Sequence, residues 1–279
     1  MRKNYLLFAA WAAMVIMFAS CFNNAKARLG KIVAEVNKEC PVPTGIGMFE
    51  RVDYDGEIIT FVYTIDNDMV TVDKLKQKKA EAKKVFSNNL SKKTVRQLLQ
   101  EMVKAKVALR MDLTDVRSST RMNIDFAPNE LEEILKNPPG DDNELTLQSE
   151  VMLANLMTPT DIDFATVLDS VTLSKTEFTY EYTYDDTQIK PTMITEEAVS
   201  QLKSEHFQQL VEMMRLESGA TLKSCIKACC ETNRTFVNVY TGKNTGKVFQ
   251  YSHSPKELED AIRKSESLID PSTLPSFNR

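Results

Sequence analysis

The chain carries one sequence pattern twice, and this internal repeat restricts the possible fold more than any other feature. Ile59–Asp66 aligns with Phe178–Asp185, and the segment from Ser91 to Leu135 aligns without a gap with the segment from Ser218 to Ile262. The matches keep the same order at a nearly constant offset, so chance is a poor explanation for them. A repeated segment of this kind indicates one structural unit that is used twice.

Each copy predicts a helix, two strands, two helices, two strands and a last helix. The returning strand of the first hairpin alternates in both copies, with one face formed by Ile59, Phe61, Tyr63 and Ile65 or by Phe178, Tyr180, Tyr182 and Tyr184. Such alternation is typical of a half-buried antiparallel strand. The predicted fold class is therefore α+β: a tandem repeat of an α-β-β-α-α-β-β-α unit, each a four-stranded antiparallel sheet with helices on one face.

Short local signals support this order of elements. Asp55-Gly56 predicts a two-residue hairpin turn. Thr71 and Thr195 are suitable N-caps for the helices that follow the first hairpins. The stretch from Ser254 to Glu257 reads as a capping box with proline at the first helical position.

Proline and glycine mark the expected joint between the copies. Residues 137–143 read Asn-Pro-Pro-Gly-Asp-Asp-Asn, which stops a helix and favours a linker. We therefore expect a first domain over 21–137, a linker over 138–144 and a second domain over 145–265. The remainder, 266–279, contains Pro271 and Pro275 and is expected to be disordered.

The first twenty residues read as a secretory signal. Arg2 and Lys3 precede an apolar run over Leu6–Phe18, which is shorter than the roughly 20 residues that a membrane span needs. The ending Phe18-Ala19-Ser20-Cys21 resembles the lipobox of bacterial lipoproteins, with phenylalanine in place of the usual leucine.

The lipobox resemblance implies a signal peptide over 1–20 and a lipid on Cys21 that anchors the chain to a membrane. Because no aspartate follows Cys21, it also implies an outer-membrane lipoprotein of a Gram-negative bacterium, which faces the periplasm or the cell surface. The alternatives are a plain cleaved signal and an uncleaved anchor.

A second resemblance concerns the repeat unit. Asn37-Lys38-Glu39-Cys40-Pro41, followed by a strand that ends in Phe61-Val62-Tyr63-Thr64, resembles a motif of small secreted bacterial proteins of unknown function. It covers roughly the first half of each unit, and the second copy departs from it with Thr158 in place of the cysteine. The resemblance implies a fold and no particular activity.

The charge of the chain argues against a nucleic-acid partner. The net charge is −4, with 39 acidic residues against 35 lysines and arginines, and loss of Arg2 and Lys3 with the signal makes the mature chain more acidic still. Nucleic-acid binding favours a basic face instead. The lysine-rich stretch from Lys74 to Lys84 is typical of a solvated helix face, and contact with an anionic surface is the alternative.

Three of the four cysteines that follow Cys21 cluster in one predicted helix. Cys225, Cys229 and Cys230 take the positions that Leu98, Met102 and Val103 hold in the first copy. Since free cysteine packs as a small hydrophobic residue, the repeat predicts core positions. A disulfide, within the cluster or with Cys40, and metal ligation by Cys225 and Cys229 are the alternatives.

No residue pattern identifies a catalytic site, a metal or a cofactor. His253 aligns with Phe126 and is predicted to be packed, whereas His206 is predicted to lie at the surface. A nucleophile–base pair of Cys230 and His253 has no support from spacing. Gly242–Val248 differs from a phosphate loop in its glycine spacing and lacks the hydroxyl residue, so it predicts a hairpin turn. The serine–lysine spacing of Ser200 and Lys203 is common on helices.

The sequence thus predicts a membrane-tethered lipoprotein with a non-catalytic binding or interaction module for a protein, peptide or glycan ligand. A recognition surface is expected at Tyr63, Tyr180, Tyr182 and Tyr184 if these remain exposed, and the alternative is that the helices cover them. The competing functions are a hydrolase with a cysteine or serine nucleophile and a structural cell-envelope protein.

Overall fold

The computed structural model describes residues 25–44, 46–67, 70–216 and 219–267. The predicted signal, Cys21 and the part of the predicted tail beyond Ser267 lie outside these residues. The chain divides into two compact units, Met1–Thr160 and Asp161–Arg279. Across the described ranges, none of the helices has both the length and the apolar character that crossing a membrane requires.

The first unit places its helices before, within and after a single sheet. Its elements are α1 (Ala25–Asn37), β1 (Val42–Thr44), β2 (Gly47–Tyr54), β3 (Ile58–Ile65), α2 (Val72–Gln77), α3 (Lys79–Leu90), α4 (Lys93–Ala105), β4 (Ala108–Asp115), β5 (Arg121–Phe126), α5 (Pro128–Lys136) and α6 (Asp142–Met157).

The second unit has the same order of strands, with a 3-10 turn and two helices between its third and fourth strands. Its elements are β6 (Thr160–Asp161), β7 (Thr166–Leu173), β8 (Glu177–Tyr184), a 3-10 turn (Pro191–Met193), α7 (Glu196–Arg215), α8 (Ala220–Glu231), β9 (Thr235–Gly242), β10 (Val248–His253) and α9 (Pro255–Ser267). Helix α9 therefore extends two residues into the predicted disordered tail.

The mixed α+β class is confirmed, but the predicted four-stranded antiparallel sheets are wrong. Each sheet has five strands, in the orders β1-β2-β3-β4-β5 and β10-β9-β8-β7-β6. The hairpins are antiparallel, whereas β3 pairs parallel with β4 and β8 with β9. The helices between these strands carry the chain back to the end of the sheet where the earlier strand began, so the next strand starts there too.

The sheet of the first unit is covered by helices on one face. Strands β4 and β5 alternate strictly between buried and accessible residues, and α1 packs on β2. The outward face is polar, where Arg110 Nε donates to Asp125 Oδ1 at 2.6 Å. This period-two burial agrees with the predicted arrangement of helices on one face.

Helix α6 moves the unit boundary away from the predicted linker. The helix begins at Asp142, inside the segment expected to be a linker, because Asp141 caps it by accepting from the main-chain N–H groups of Asn143 and Glu144. Pro138 is exposed, but Arg96 on α4 donates to the carbonyls of Leu135 and Asn137. The segment is therefore held against α4 by hydrogen bonds.

The same helix belongs to the core of the first unit. Asn88 Nδ2 on α3 donates to the carbonyl of Leu145 at 2.9 Å and to Ser149 Oγ at 2.8 Å. Leu156 and Met157 are buried in the first core. The division of the chain consequently falls after Thr160 rather than at 138–144.

The predicted helix caps are confirmed, and the predicted turn is displaced by one residue. The side chains of Thr71 and Thr195 both accept a main-chain N–H of the following helix. In the β2–β3 hairpin the N–H of Asp55 donates to the carbonyl of Ile58, so that Gly56 and Glu57 form the turn. Gly56 has φ +96°, a conformation that favours glycine.

Candidate functional site

The inward faces of the two sheets carry different chemistry at corresponding positions. In the first sheet, rows across β3, β4 and β5 are Ile59–Leu109–Phe126, Phe61–Met111–Ile124 and Tyr63–Leu113–Met122. In the second sheet, rows across β8, β9 and β10 are Phe178–Phe236–His253, Tyr180–Asn238–Tyr251 and Tyr182–Tyr240–Phe249. Imidazole, amide and phenol groups thus stand where the first sheet is almost entirely apolar.

The aromatic rings of the second sheet stack on one another. Tyr182 stacks on Tyr240 with ring centroids 4.7 Å apart, and Tyr240 stacks on Phe249 at 4.8 Å. The hydroxyl oxygens of Tyr240 and Tyr251 lie 3.3 Å apart. Because the inner ring faces are occupied within the stack, ring edges and hydroxyl groups are the parts of these tyrosines available to a ligand.

Of the four tyrosines predicted to form a recognition surface, two lie in this stack and one is core. Tyr184 is 1% exposed, and its hydroxyl donates to the carbonyl of Lys247 at 3.3 Å, so it is not a surface residue. Tyr63 is half-buried and packs against Phe49 in the first unit. Tyr180 and Tyr182 are half-buried in the second sheet, and their role in recognition stays a prediction.

The two histidines of the chain form a hydrogen-bonded pair. His206 Nδ1 on α7 and His253 Nε2 on β10 lie 2.9 Å apart, so one ring donates a hydrogen bond to the other. His253 is 0% exposed, as its alignment with Phe126 predicts. The prediction that His206 lies at the surface is wrong, because it is half-buried and stacks on Phe236. Its four-residue spacing from the buried Leu210 is the signal that could have shown this.

Both imidazoles are neutral at pH 7. Burial lowers the pKa of His206 to about 4, with a further contribution from His253. Burial also lowers the pKa of His253 to about 4, where Lys203 adds to the effect and Glu257 opposes it. A proton on either ring would place a charge among aromatic side chains, where it is poorly solvated.

Two buried polar atoms of this face lack a hydrogen-bond partner among the described residues. They are Asn238 Nδ2 and His253 Nδ1, and Asn238 is only 1% exposed. The first sheet holds Met111 and Phe126 at these positions. An unpartnered buried polar atom lowers stability by about 1–3 kcal/mol, so the second sheet departs here from what packing alone favours.

An ion pair lies beside the histidines and recurs in the first unit. Lys203 Nζ lies 2.7 Å from Glu257 Oε1, and Glu257 Oε2 accepts from the N–H of Ser254 as the predicted capping box requires. Burial acts to raise the pKa of Glu257, but the hydrogen bonds from Lys203 and Ser254 outweigh it and lower the pKa to about 2. Lys83 and Glu130 form the same pair in the first unit, which indicates a structural role.

Two adjoining cavities run along α7 and β10. One of about 470 Å³ lies between the first turns of α7 and β10, and its lining includes the consecutive residues 247–251. The other, of about 720 Å³, lies between α7 and α9 and reaches His253 and Phe207. Ser200 and Lys203 line both cavities. We call the two together the β10 groove.

The cysteines occupy the core positions that the repeat predicts. Cys225 and Cys229 are buried, Cys230 is half-buried, and within the described residues no disulfide involves these three or Cys40. Burial, with Glu259 nearby, raises the pKa of Cys230 to about 12. Because the thiolate is the nucleophile, this environment is unfavourable for a catalytic cysteine. In the described part of the chain, no three His, Cys, Asp or Glu side chains are grouped as metal ligands.

The glycine-containing segment 242–248 includes a hairpin turn, as predicted. Its donor groups are already used, because Asp186 accepts from the N–H of Asn244 at 3.1 Å and from the N–H and hydroxyl of Thr245, each at 2.7 Å. These hydrogen bonds hold the pKa of Asp186 well below its usual range. The turn is therefore closed around a carboxylate of the chain itself.

No protein-family model matches this chain, and no curated protein matches it. Among solved structures, the chain is similar to the crystal structure of a candidate secreted protein from Pseudomonas aeruginosa, at a TM-score of 0.31 and 11% sequence identity. The likeness covers 42% of this chain and 93% of the other.

Proposed function

We propose that this protein is an extracytoplasmic lipoprotein, tethered through a lipid on Cys21, whose second unit is a non-catalytic binding module. The observation that carries the proposal is the polar and aromatic inward face of the second sheet, which adjoins the β10 groove. Asn238 and His253 lower stability there without improving packing. Departures of this kind concentrate where a protein binds or reacts.

We also propose that the two units are copies of one ancestral unit, and that only the second acquired a binding site. The matching strand orders of the two sheets support a common origin, and so do register shifts at corresponding places in the two first hairpins. The β2–β3 pairing shifts register between Phe49 and Arg51, and the β7–β8 pairing shifts between Leu168 and Ser170. A duplicated unit that keeps an apolar core in one copy leaves the other free to exchange stability for recognition.

A test of the tether uses Cys21→Ala. We expect the variant to incorporate no labelled palmitate and to leave the membrane fraction, because acyl chains and not the protein surface supply the attachment. The unmodified chain is the control. Palmitate incorporation by Cys21→Ala, or its retention in membranes without detergent, would contradict the tether.

A test of binding places a photo-reactive benzophenone amino acid in the β10 groove of the full-length protein in cells. Ser200 is exposed and lines both cavities, whereas Ala198 is exposed and lies on another side of α7. We expect the probe at Ser200, and not at Ala198, to give a defined adduct that mass spectrometry maps to this site. Absence of an adduct at Ser200, or equal labelling from both positions, would contradict a binding site here.

The competing hydrolase has weaker support. The raised pKa of Cys230 disfavours a thiolate, and the histidine pair is engaged in its own hydrogen bond. Turnover of a simple ester such as p-nitrophenyl acetate that is lost in Cys230→Ala or Ser200→Ala would overturn the non-catalytic assignment.

A further inference from the structure

We propose that the β10 groove binds an extended polypeptide segment, which adds to the second sheet as a further strand beside β10. This inference rests on the proposed binding function and names the ligand class of the same site. It follows from the position of β10 in the sheet, from the direction of its main-chain groups and from the wall that α7 provides.

Strand β10 is an edge strand with unused main-chain groups. In the described part of the chain, it stands at one end of the strand order and pairs only with β9. The carbonyl of Lys247 accepts from the N–H of Gly242 at 2.9 Å, so the main chain of Lys247 faces β9. Because main-chain groups alternate in direction along a strand, those of Val248, Gln250 and Ser252 face away from β9.

These outward groups are available to a ligand. Within the described residues, the main-chain groups of Val248, Gln250 and Ser252 have no hydrogen-bond partner. A row of unpaired N–H and C=O groups is a template for another strand. Strand addition to such an edge is a common way of binding a peptide, in which main-chain hydrogen bonds supply affinity and side-chain pockets supply specificity.

The smaller cavity lies along this edge. It is lined by side chains from both faces of β10, since Phe249 and Tyr251 point inward whereas Val248 and Gln250 are exposed. A cavity that touches consecutive residues of a strand must run beside the strand rather than over one face, because neighbouring side chains point to opposite faces.

Helix α7 forms the opposite wall of the groove. Thr195, Val199 and Lys203 line it at four-residue spacing and thus share one side of the helix. The six residues of β10 extend over ~20 Å, and α7 from Glu196 to Phe207 over ~17 Å. A segment of about five or six extended residues matches both lengths.

The ends of the groove differ in chemistry. Phe249 and Tyr251 give an aromatic floor near the start of β10, whereas the far end carries two ion pairs, Lys203–Glu257 and Arg263–Asp260. We therefore expect the bound segment to place apolar side chains, at alternate positions, against the aromatic floor. A glycan offers no row of amide groups that would match the edge of β10, which favours a peptide.

The test selects ligands from a random hexapeptide library displayed on phage, with the purified full-length protein as the target. Selected peptides are resynthesised with an N-methyl group at each position in turn. We expect N-methylation to weaken binding by about tenfold at alternate positions, because each outward hydrogen bond that is lost leaves a buried carbonyl unpaired.

Two groove variants and one control test the location. Ser200→Trp fills the place where the cavities meet, and Gln250→Pro removes the central outward N–H of β10, where an edge strand tolerates proline. We expect both to weaken peptide binding by about tenfold or more, whereas Ala198→Trp should bind as the unchanged protein does. Thermal melts by circular dichroism verify that each variant is folded. If Gln250→Pro unfolds, Ser200→Trp and the N-methylated peptides still test whether the peptide binds along β10.

Three outcomes would overturn the inference. The first is that no peptide is enriched over a target-free selection. The second is that binding is insensitive to Ser200→Trp or shows no two-residue period on N-methylation. The third is a concentration-dependent dimer, detected by ultracentrifugation, that Gln250→Pro abolishes and that would identify a second copy as the occupant. If the photo-reactive probe at Ser200 labels a glycan while no peptide binds, this inference fails and the proposed binding function stands.

Discussion

Single side chains distinguish the two units more than their backbones do. Lys83 and Lys203 pair with equivalent glutamates, and three residues further along each helix stands Phe86 or His206. Phe126 likewise stands at the position of His253, so the two histidines of the second unit take positions that phenylalanines hold in the first. This exchange makes the stability of the second unit sensitive to protons, because imidazole titrates and a phenylalanine side chain does not.

Acid should destabilise the second unit through this pair. The native pKa of each histidine is about 4, below the value of roughly 6.5 in an unfolded chain. Above pH 6.5 both states hold neutral rings; as the pH falls towards 4, the unfolded state binds protons that the native state does not, and stability is lost. The groups that face the pair are Lys203, Glu257 and Tyr251. We expect His253 to lower the free energy of unfolding by on the order of 2–3 kcal/mol over this pH range.

The control for this prediction is the double variant His206→Phe and His253→Phe, which copies the first unit. Urea unfolding from pH 7.5 to 4 should show a flatter profile for the variant. Glu257 has a native pKa of about 2, and its contribution to the free energy of unfolding is lost only below about pH 4.5. Its effect therefore falls at a lower pH than that of the histidines. Equal acid sensitivity of the variant and the unchanged protein would contradict the assignment.

The unpartnered amide of Asn238 gives a second prediction at this scale. Asn238→Met, which installs the residue of the first unit, should raise the free energy of unfolding by about 1–2 kcal/mol because it removes a buried donor without a partner. The reverse exchange, Met111→Asn, should lower it by at least as much. Destabilisation by Asn238→Met in urea titrations would show that the amide is hydrogen-bonded in solution, for instance to an ordered water.

Among the elements, α8 shows how a helix keeps its packing face while its residue types change. Its buried side includes Cys225 and Cys229, where α4 buries Leu98 and Met102. Cys230 is half-buried, as Val103 is. The burial class is therefore the same at all three positions, although thiols replace larger apolar side chains.

We expect the triple variant Cys225→Leu, Cys229→Met and Cys230→Val to fold. Added methylenes in a packed core cost about 1–3 kcal/mol, so a chemical denaturation midpoint should fall modestly and stay cooperative. Complete loss of folding, or zinc bound stoichiometrically by the unchanged protein in elemental analysis, would show that the thiols do more than pack.

For the whole molecule, the assignment of α6 decides where the chain can be divided. A fragment from Phe22 to Thr160 retains Leu156 and Met157, which are buried in the first core, and the hydrogen bonds of Asn88 to α6. A fragment from Phe22 to Asn137 lacks all of these. We expect the longer fragment to melt cooperatively and the shorter one to melt at lower temperature or without a sharp transition, because buried apolar contacts are lost. Equal melts by circular dichroism would place the boundary at 138–144 instead.

The sequence by itself determined the order of the main hairpins and helices, the inward residues of β3 and β8, the threonine caps and the core positions of Cys225 and Cys229, but it missed β1 and β6. These features depend on side-chain period and on hydrogen bonds between residues a few positions apart, which a linear pattern records. The parallel pairing of β3 with β4, the docking of α6 on α3, the contact of His206 with His253 and the groove beside β10 were decided only by tertiary structure. Each joins segments that are distant in the chain, and side-chain alternation is the same for parallel and antiparallel neighbours.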